Sequence, residues 1–436
     1  AALSLYLGVV MAAYARWRPA GTWARALLFA ACWLAAELAR GVFFTGFPWL
    51  ASGYAQVDGP LAGYAPWLGV YGIGALAAWI AALLAAPAAG WRARLPRLAA
   101  LLLLLAIGPL AGRDTSRPAG TIEVSLLQPN VAQESKFAAD QMDAALQWLT
   151  TALREAPGDL VVAPETAVPL LPAQLGTERW RALRDPFSAA GGRRAALVGM
   201  PLGRDDNYTN SAVGFAPPPA ASAAAPAAAD DAGVVADKLA PPFAYRYDKH
   251  HLVPFGEFVP FGFGWFVRLM QIPLGDFARG PVDAPSLAWH GQRIGPNICY
   301  EDLFGEELAR RFGEDATAPT LLVNISNIAW FGDTIALPQH LAISRMRTLE
   351  LQRPMLRSTN TGMTAVIDHR GRVSAVLPAH TRGVLTARVE GRDGRSFFAH
   401  WASRFGLAPL WLACAIVIAF AAWRGRGRGA ARTPAP

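Results

Sequence analysis

The chain has 436 residues, 53% of them hydrophobic and only 17% charged, which excludes an ordinary soluble globular protein. Its formal net charge is +8, but the basic residues gather beside apolar runs, where they anchor a membrane segment rather than bind nucleic acid. Three cysteines, two of them (Cys32 and Cys414) inside apolar runs where they read as small core residues, leave no disulfide framework.

Four near-continuous apolar runs come first: Ala1–Tyr14, Ala26–Leu38, Trp67–Ala86 and Leu98–Leu110. A helix needs roughly 20 residues to cross a bilayer, so each is predicted to span, the second and fourth by borrowing flanking residues. The first run begins without a methionine, and the chain is expected to lack its native start. Residues 1–112 should therefore form a helical membrane unit. Arg16, Arg18 and Arg25 crowd the first connection, Arg92, Arg94 and Arg97 the third, while Gly41–Pro66 carries only Asp58. Counting positive charge puts the first and third connections in the cytoplasm and the second, near 41–66, on the far side. Its Phe43–Leu50 stretch is aromatic and broken by Gly and Pro. It is expected at the interface, either as an aromatic belt or as a lipid-facing wall beneath the outer domain.

Residues 113–404 have ordinary polar content and the size of one well-packed domain. Strands are predicted at Thr121–Leu127, Asp159–Ala163, Ala195–Met200, Arg293–Cys299 and Thr320–Ile325, and helices at Ala138–Arg154, Arg179–Ser188 and Gln339–Leu351. Thr364–Asp368, Val373–Val376 and Gly383–Val389 close the domain as hairpin-like strands, with His369–Gly371 as a turn. The alternation favours a layered α/β fold with a mixed sheet. Residues 216–242, mostly Ala and Pro, read as a surface loop or a lid. Residues 405–423 hold no charge after Arg404 and are predicted to span, and 424–436 form a basic cytoplasmic tail. The 113–404 domain then faces the side opposite the cytoplasm, the periplasm in a Gram-negative bacterium.

Three segments of that domain carry chemistry. Val161–Pro169 places Glu165 at the end of a buried strand, Tyr247–Pro260 places Lys249 in a Gly/Pro-rich turn, and Asn297–Asp302 places Cys299 at a strand-to-loop switch. Cys299 is the one cysteine outside the apolar runs. A thiol is mostly protonated at neutral pH and needs a base or a cation beside it to act as a nucleophile. Glu165 can take that proton and return it to a leaving group, and Lys249 can stabilise a thiolate and a developing oxyanion, with the backbone N–H after Cys299 as a second donor. Singly, the three could be an exposed acid, a surface cation and a buried filler. Jointly they point to catalysis. Adjacent His250 and His251 are ill placed to share a metal, paired cysteines are missing, and no metal or other cofactor is expected. No G-x-S-x-G elbow is present. Asn207–Thr209 and Asn324–Ser326 match a weak glycosylation pattern that means little in a bacterium.

The Glu165, Lys249 and Cys299 segments resemble those of the nitrilase (carbon–nitrogen hydrolase) superfamily. The membrane runs, with Phe44–Leu50, Gly53-Tyr54, Asp58–Leu61, Lys249–Pro260, Cys299–Glu301, Trp330–Asp333, Gln339-His340, Arg345–Glu350 and Arg353–Gly362, narrow the resemblance to the apolipoprotein N-acyltransferase family of the bacterial inner membrane. The resemblance implies a nitrilase-like αββα sandwich domain mounted on a transmembrane helical bundle, with the catalytic domain in the periplasm. It implies that Cys299 takes an acyl chain from a phospholipid, typically phosphatidylethanolamine, as a thioester. The amine of a diacylglyceryl-modified N-terminal cysteine on a lipoprotein then receives it. Glu257 would support Lys249, and Tyr300 and Glu301 would shape the nucleophile loop. Two positions depart from the family pattern. Phe137 stands where Trp is usual and should alter a lipid contact. Ile328 stands where Asp is usual and should remove polar contacts near the site. Phe258, Phe261, Phe263, Trp265 and Phe266 could line an acyl path or pack a core. Two other readings stay open from the sequence: a membrane-anchored nitrilase-type amidohydrolase that uses water, and a catalytically silent protein that binds lipoproteins or lipids.

Overall fold

The computed structural model describes residues 2–87, 90–132, 139–189, 191–204, 207–217, 243–259 and 277–430. Phe137, the Ala/Pro-rich stretch from 218 to 242, and Phe261, Phe263, Trp265 and Phe266 lie outside them.

The apolar runs become α1 (Ala2–Trp17), α2 (Thr22–Val42), α3 (Ala65–Ala85) and α4 (Trp91–Ala111). The short second and fourth runs do extend at their ends. α2 takes in Thr22–Arg25, and α4 starts at Trp91, seven residues before the run itself. Arg97, nearly two turns into α4, turns back and donates to the carbonyls of Ala86 (2.6 Å) and Pro87 (3.0 Å), capping the end of α3. Among the described residues, four helices are long and apolar enough to cross a membrane: Thr22–Thr45, Ala62–Ala85, Trp91–Ala111 and Ala408–Arg426. With its 16 residues α1 is about 24 Å long, short of the roughly 30 Å hydrocarbon layer.

The polar region folds into two six-stranded sheets. The first comprises β1 (Arg117–Gln128), β2 (Leu160–Val162), β3 (Ala195–Arg204), β4 (Asn207–Phe215), β5 (Tyr245–Asp248) and β12 (Gly383–Asp393), in the order β12-β1-β2-β3-β4-β5. The second comprises β6 (Leu287–Trp289), β7 (Gln292–Ile298), β8 (Leu321–Ser326), β9 (Met355–Thr359), β10 (Ala365–Ile367) and β11 (Val373–Val376), in the order β11-β10-β9-β8-β7-β6. Each sheet has a parallel centre, β1-β2-β3 and β7-β8-β9, flanked by antiparallel strands. The predicted closing hairpin forms only between β10 and β11. β12 crosses to the other sheet and pairs with β1, from Arg117↔Asp393 to Gln128↔Gly383.

Residue alternation along the strands builds the layers. Ile122, Val124 and Leu126 of β1 and Leu160 and Val162 of β2 face the second sheet, meeting Ile294, Ile298, Val323, Ile325 and Leu356. The residues between them, Leu127, Val161 and Ala163, face outward onto α5 (Ala139–Glu155) and α6 (Pro172–Arg184), through Leu149, Leu153, Trp180 and Leu183. The outer face of the second sheet is covered by α7 (Gly305–Ala309), α8 (Ala336–Leu351) and α9 (Phe397–Phe405). The result is an αββα sandwich, followed by α10 (Ala408–Ala430).

The sandwich and the apolar helices share a core. Leu34 and Leu38 of α2 and Val70, Tyr71 and Ile73 of α3 pack in one cluster with Tyr300, Leu303 and Phe304 and with Ile343 and Met346 of α8. α3 breaks at Gly69 (φ +66°), and Glu350 of α8 accepts the freed N–H of Val70 at 2.6 Å. The turn that carries Cys299 is therefore set directly against the helical bundle.

Candidate active site

Glu165, Lys249 and Cys299 each follow the end of a strand, β2, β5 and β7 respectively, and the turn after Cys299 packs against α8 and the bundle through Tyr300, Leu303 and Phe304. Lys249 is 1% exposed and Glu165 7%, so an ion pair between them is shielded from solvent. The Lys249 ammonium lies 3.3 Å from Glu165 Oε1 and 2.9 Å from Glu257 Oε1. Burial alone would lower the lysine, but the Glu165 and Glu257 carboxylates outweigh it and hold the ammonium above the usual range. Glu257 is fixed in turn by the N–H of Val253, which donates to Oε2 at 2.8 Å.

Cys299 occupies a strained turn with φ +52°, at the junction of β7 and a 3₁₀ turn, Cys299–Leu303. Its thiol is pushed up to about 12, chiefly by burial and then by the Glu165 carboxylate, against Lys249 and the Ser326 hydroxyl, which pull it down. The thiol at rest is therefore neutral, and any attack by it must be accompanied by deprotonation. Alkylation of Cys299 by iodoacetamide is accordingly expected to rise about tenfold per pH unit from 7 to 9 without levelling, as for any thiol below its pKa. Peptide mapping of the alkylated protein checks this, and a plateau below pH 9 would contradict it.

Glu301 ties the lysine segment to the Cys299 turn. Its carboxylate accepts the N–H groups of Ile298 (2.6 Å), His250 (2.7 Å) and His251 (3.1 Å), and the Tyr247 hydroxyl at 2.8 Å. Burial, the largest influence, pushes this carboxyl up, while the Ile298 N–H and Lys249 draw it back. Tyr300 points the other way and donates to the carbonyl of Gly46 at 2.9 Å, in the Phe43–Leu50 stretch. The six residues singled out in the sequence, Glu165, Lys249, Cys299, Glu257, Tyr300 and Glu301, are thus brought to one place.

Other groups there were not singled out. Asn210, buried on β4, donates from Nδ2 to Glu165 Oε1 (2.8 Å) and Glu257 Oε1 (2.7 Å), so one amide aligns both carboxylates with Lys249. The signal was the Thr209-Asn210-Ser211 run, three polar residues buried in one strand, which in a sheet demands partners. Behind Cys299 lies a second buried set. Asp302 accepts from His340 Nε2 at 2.9 Å and from the Ser344 hydroxyl at 2.5 Å, and Arg357 donates to His340 Nδ1 at 2.7 Å. Arginine can only donate, so His340 carries its proton on Nε2; burial and Arg357 hold the ring below its usual pKa and keep it neutral. Asn324 donates to the Cys299 carbonyl at 3.2 Å and fixes the turn from beneath.

The Ile328 departure is absorbed by packing. Its side chain is buried against Gly362 and Leu337, where a Cβ on Gly362 would press on it, while the neighbouring Asn327 N–H donates to Glu165 Oε2 at 2.7 Å. Of the aromatic cluster near Lys249, Phe258 lies among the described residues and carries the Arg279 guanidinium over its ring at 4.9 Å. Among the described residues no group of His, Cys, Asp and Glu could hold a metal ion.

Residues 1–83 match the family model of the apolipoprotein N-acyltransferase N-terminal domain, and residues 124–396 match that of carbon–nitrogen hydrolases. The chain is 50% identical over 430 residues to an apolipoprotein N-acyltransferase of Verminephrobacter eiseniae, covering 93% of this chain and 75% of that protein. It is 47% identical over 419 residues to an apolipoprotein N-acyltransferase of Ralstonia nicotianae, covering 96% and 75%. Among solved structures, a carbon–nitrogen hydrolase superfamily protein from Xanthomonas campestris matches at 16% identity with a TM-score of 0.41, covering 66% of this chain and 96% of that one.

Proposed function

The chain belongs to the apolipoprotein N-acyltransferase family, and from that premise we propose that Glu165, Lys249 and Cys299 transfer an acyl chain from a phospholipid to a lipoprotein. The observation that carries this reading is the convergence of a buried carboxylate, a buried ammonium and a strained thiol turn at the face where the sandwich meets the apolar helices.

In the first step Glu165 takes the thiol proton as Sγ attacks the ester carbonyl of the donor lipid. Lys249 and the N–H of Tyr300 stabilise the oxyanion. As the C–O bond breaks, Glu165 gives the proton to the departing alkoxide, leaving a thioester and a lysophospholipid. In the second step the α-amine of a diacylglyceryl-modified cysteine attacks the thioester, loses a proton to Glu165 and expels the thiolate, which recovers that proton. The acyl donor is phosphatidylethanolamine. An amine outruns water here when the pocket is dry, and both substrates are membrane lipids, which accounts for the helical mount.

In this reading residues 1–112 and 405–423 sit in the bacterial inner membrane, with 113–404 in the periplasm and 424–436 in the cytoplasm. The arginines of the first and third connections and of the tail support that orientation. Intact-mass spectrometry of the detergent-purified protein with phosphatidylethanolamine tests the first step. A hydroxylamine-labile acyl adduct, absent in Cys299→Ala, is expected. Discharge of that adduct by a diacylglyceryl-cysteine peptide, and not by buffer, is expected for the second. Discharge by buffer alone would make the protein a hydrolase that uses water, and a folded protein without an adduct would overturn the triad assignment.

A further inference from the structure

The Phe43–Leu50 loop is bound at its tip to the catalytic groups. Its Thr45 carbonyl faces His251 Nε2 at 2.9 Å, its Gly46 carbonyl accepts the Tyr300 hydroxyl at 2.9 Å, and the Trp49 indole N–H donates to Gln339 at 2.8 Å. The Trp49 ring also lies 5.3 Å from that of His340, the partner of Asp302. Yet the loop backbone is strained. Phe44, Thr45 and Gly46 have φ of +53°, +72° and +79° in succession. A non-glycine residue holds such a conformation only where its surroundings over-determine it. Gly46 has no alternative, since a Cβ there would strike the Gly41 carbonyl.

The constraint comes from α2. The Phe47 N–H donates to the Arg40 carbonyl at 2.7 Å, the Ser52 N–H donates to Glu37 Oε1 at 2.7 Å, and Trp33 Nε1 donates to the Ser52 hydroxyl at 3.1 Å. Glu37 is 1% exposed in the last two turns of an apolar helix, where a carboxylate is costly even with Arg40 Nη2 at 3.7 Å, and its presence asks for a role.

We propose that Glu37 is a positioning residue for acyl transfer: by holding the N–H of Ser52 it fixes the Phe43–Leu50 loop, and through Gly46 and Tyr300 it fixes the turn that carries Cys299. The inference rests on Cys299 being the nucleophile. The role needs an acceptor rather than a charge. Glu37 Oε2 has no hydrogen-bond partner among the described residues, so an amide in its place breaks no hydrogen bond and removes only the negative charge that Arg40 Nη2 faces at 3.7 Å.

The test uses the full chain in detergent, with Glu37→Ala and Glu37→Gln. The rate of the Cys299 adduct is followed against phosphatidylethanolamine concentration, and hydrogen exchange is followed by segment. Glu37→Ala is expected to speed exchange in 43–52 but not along α2 and α3. It should lower the maximal acylation rate at least about tenfold at an unchanged half-saturating lipid concentration, because small misplacements of a nucleophile are costly. Glu37→Gln should stay within about threefold of the parent on the same argument. Wild-type acylation by Glu37→Ala, faster exchange throughout α2 and α3, or a Gln variant as slow as the Ala variant would each overturn the proposal. If Glu37→Ala fails to fold, Ser52→Pro removes the same bond from the donor side. Ser52 opens a 3₁₀ turn after extended Ala51 (φ −61°, ψ 126°), a position that accepts proline. It should show the same fall in rate, and an unchanged rate there would also overturn the proposal. Absence of any adduct in the unsubstituted protein would instead sink the assignment of Cys299, a separate outcome.

Discussion

Lys249→Met is expected to lower acyl-enzyme formation by about 10³-fold or more and to cost about 3–5 kcal/mol of stability, the scale of removing one partner from a buried ion pair. Two losses combine. The oxyanion loses its one cationic donor. In addition, Glu165 and Glu257, whose Oε1 atoms both lie within 2.8 Å of Asn210 Nδ2, lose the ammonium that both of them face. The sign with pH follows from the raised lysine. Its stabilisation is fully present below the ordinary lysine value of 10.5 and is lost as pH climbs through the higher folded-state value, so urea unfolding at pH 8 captures the whole deficit. A Lys249→Met protein of parental stability, or one that still acylates within tenfold of the parent, would contradict the ion-pair account.

The legibility of this site in the sequence was uneven, for physical reasons. Glu165 and Cys299 stood out because each follows an apolar strand, β2 or β7, and the strand end is where a polar side chain can emerge. β4 and β9 did not stand out. Their buried residues include Thr209, Asn210 and Ser211, and Arg357, Ser358 and Thr359, which read as polar although the fold encloses them in hydrogen-bond networks. A pattern built on apolar alternation cannot see a strand whose inward residues are satisfied by polar partners. The crossing of β12 to the first sheet was hidden as well, since pairing with β1 links residues more than 250 positions apart and leaves no local mark. Composition could not decide between a belt and a wall for the Phe43–Leu50 loop. In the fold Phe43, Phe44 and Leu50 are exposed while Thr45, Gly46 and Trp49 hydrogen-bond with His251, Tyr300 and Gln339, so one loop has both faces.

Glu301 offers the sharper contrast with Glu37. Glu301→Ala is expected to cost about 3–5 kcal/mol, because it strands buried donors at roughly 1–3 kcal/mol each, less than additively. The acylation rate should fall about 10²-fold as Cys299 loses its tie to the lysine segment. Glutamine cannot stand in here. Oε1 accepts from His250 and His251 and Oε2 from Ile298, so either orientation of the amide turns an NH₂ group toward an N–H that can only donate. Glu301→Gln should therefore fall close to Glu301→Ala in both unfolding midpoint and acylation rate. Two buried glutamates, one within the Cys299 turn and one that reaches it only through the Phe43–Leu50 loop, are thus told apart by the same isosteric change. Where one oxygen has a donor and the other has none among the described residues, as at Glu37, the amide should be tolerated; where both oxygens are claimed by backbone N–H groups, as at Glu301, it should not be. Parental stability in Glu301→Gln would mean that these N–H groups find other acceptors, and that the bracket between Lys249 and Cys299 lies elsewhere.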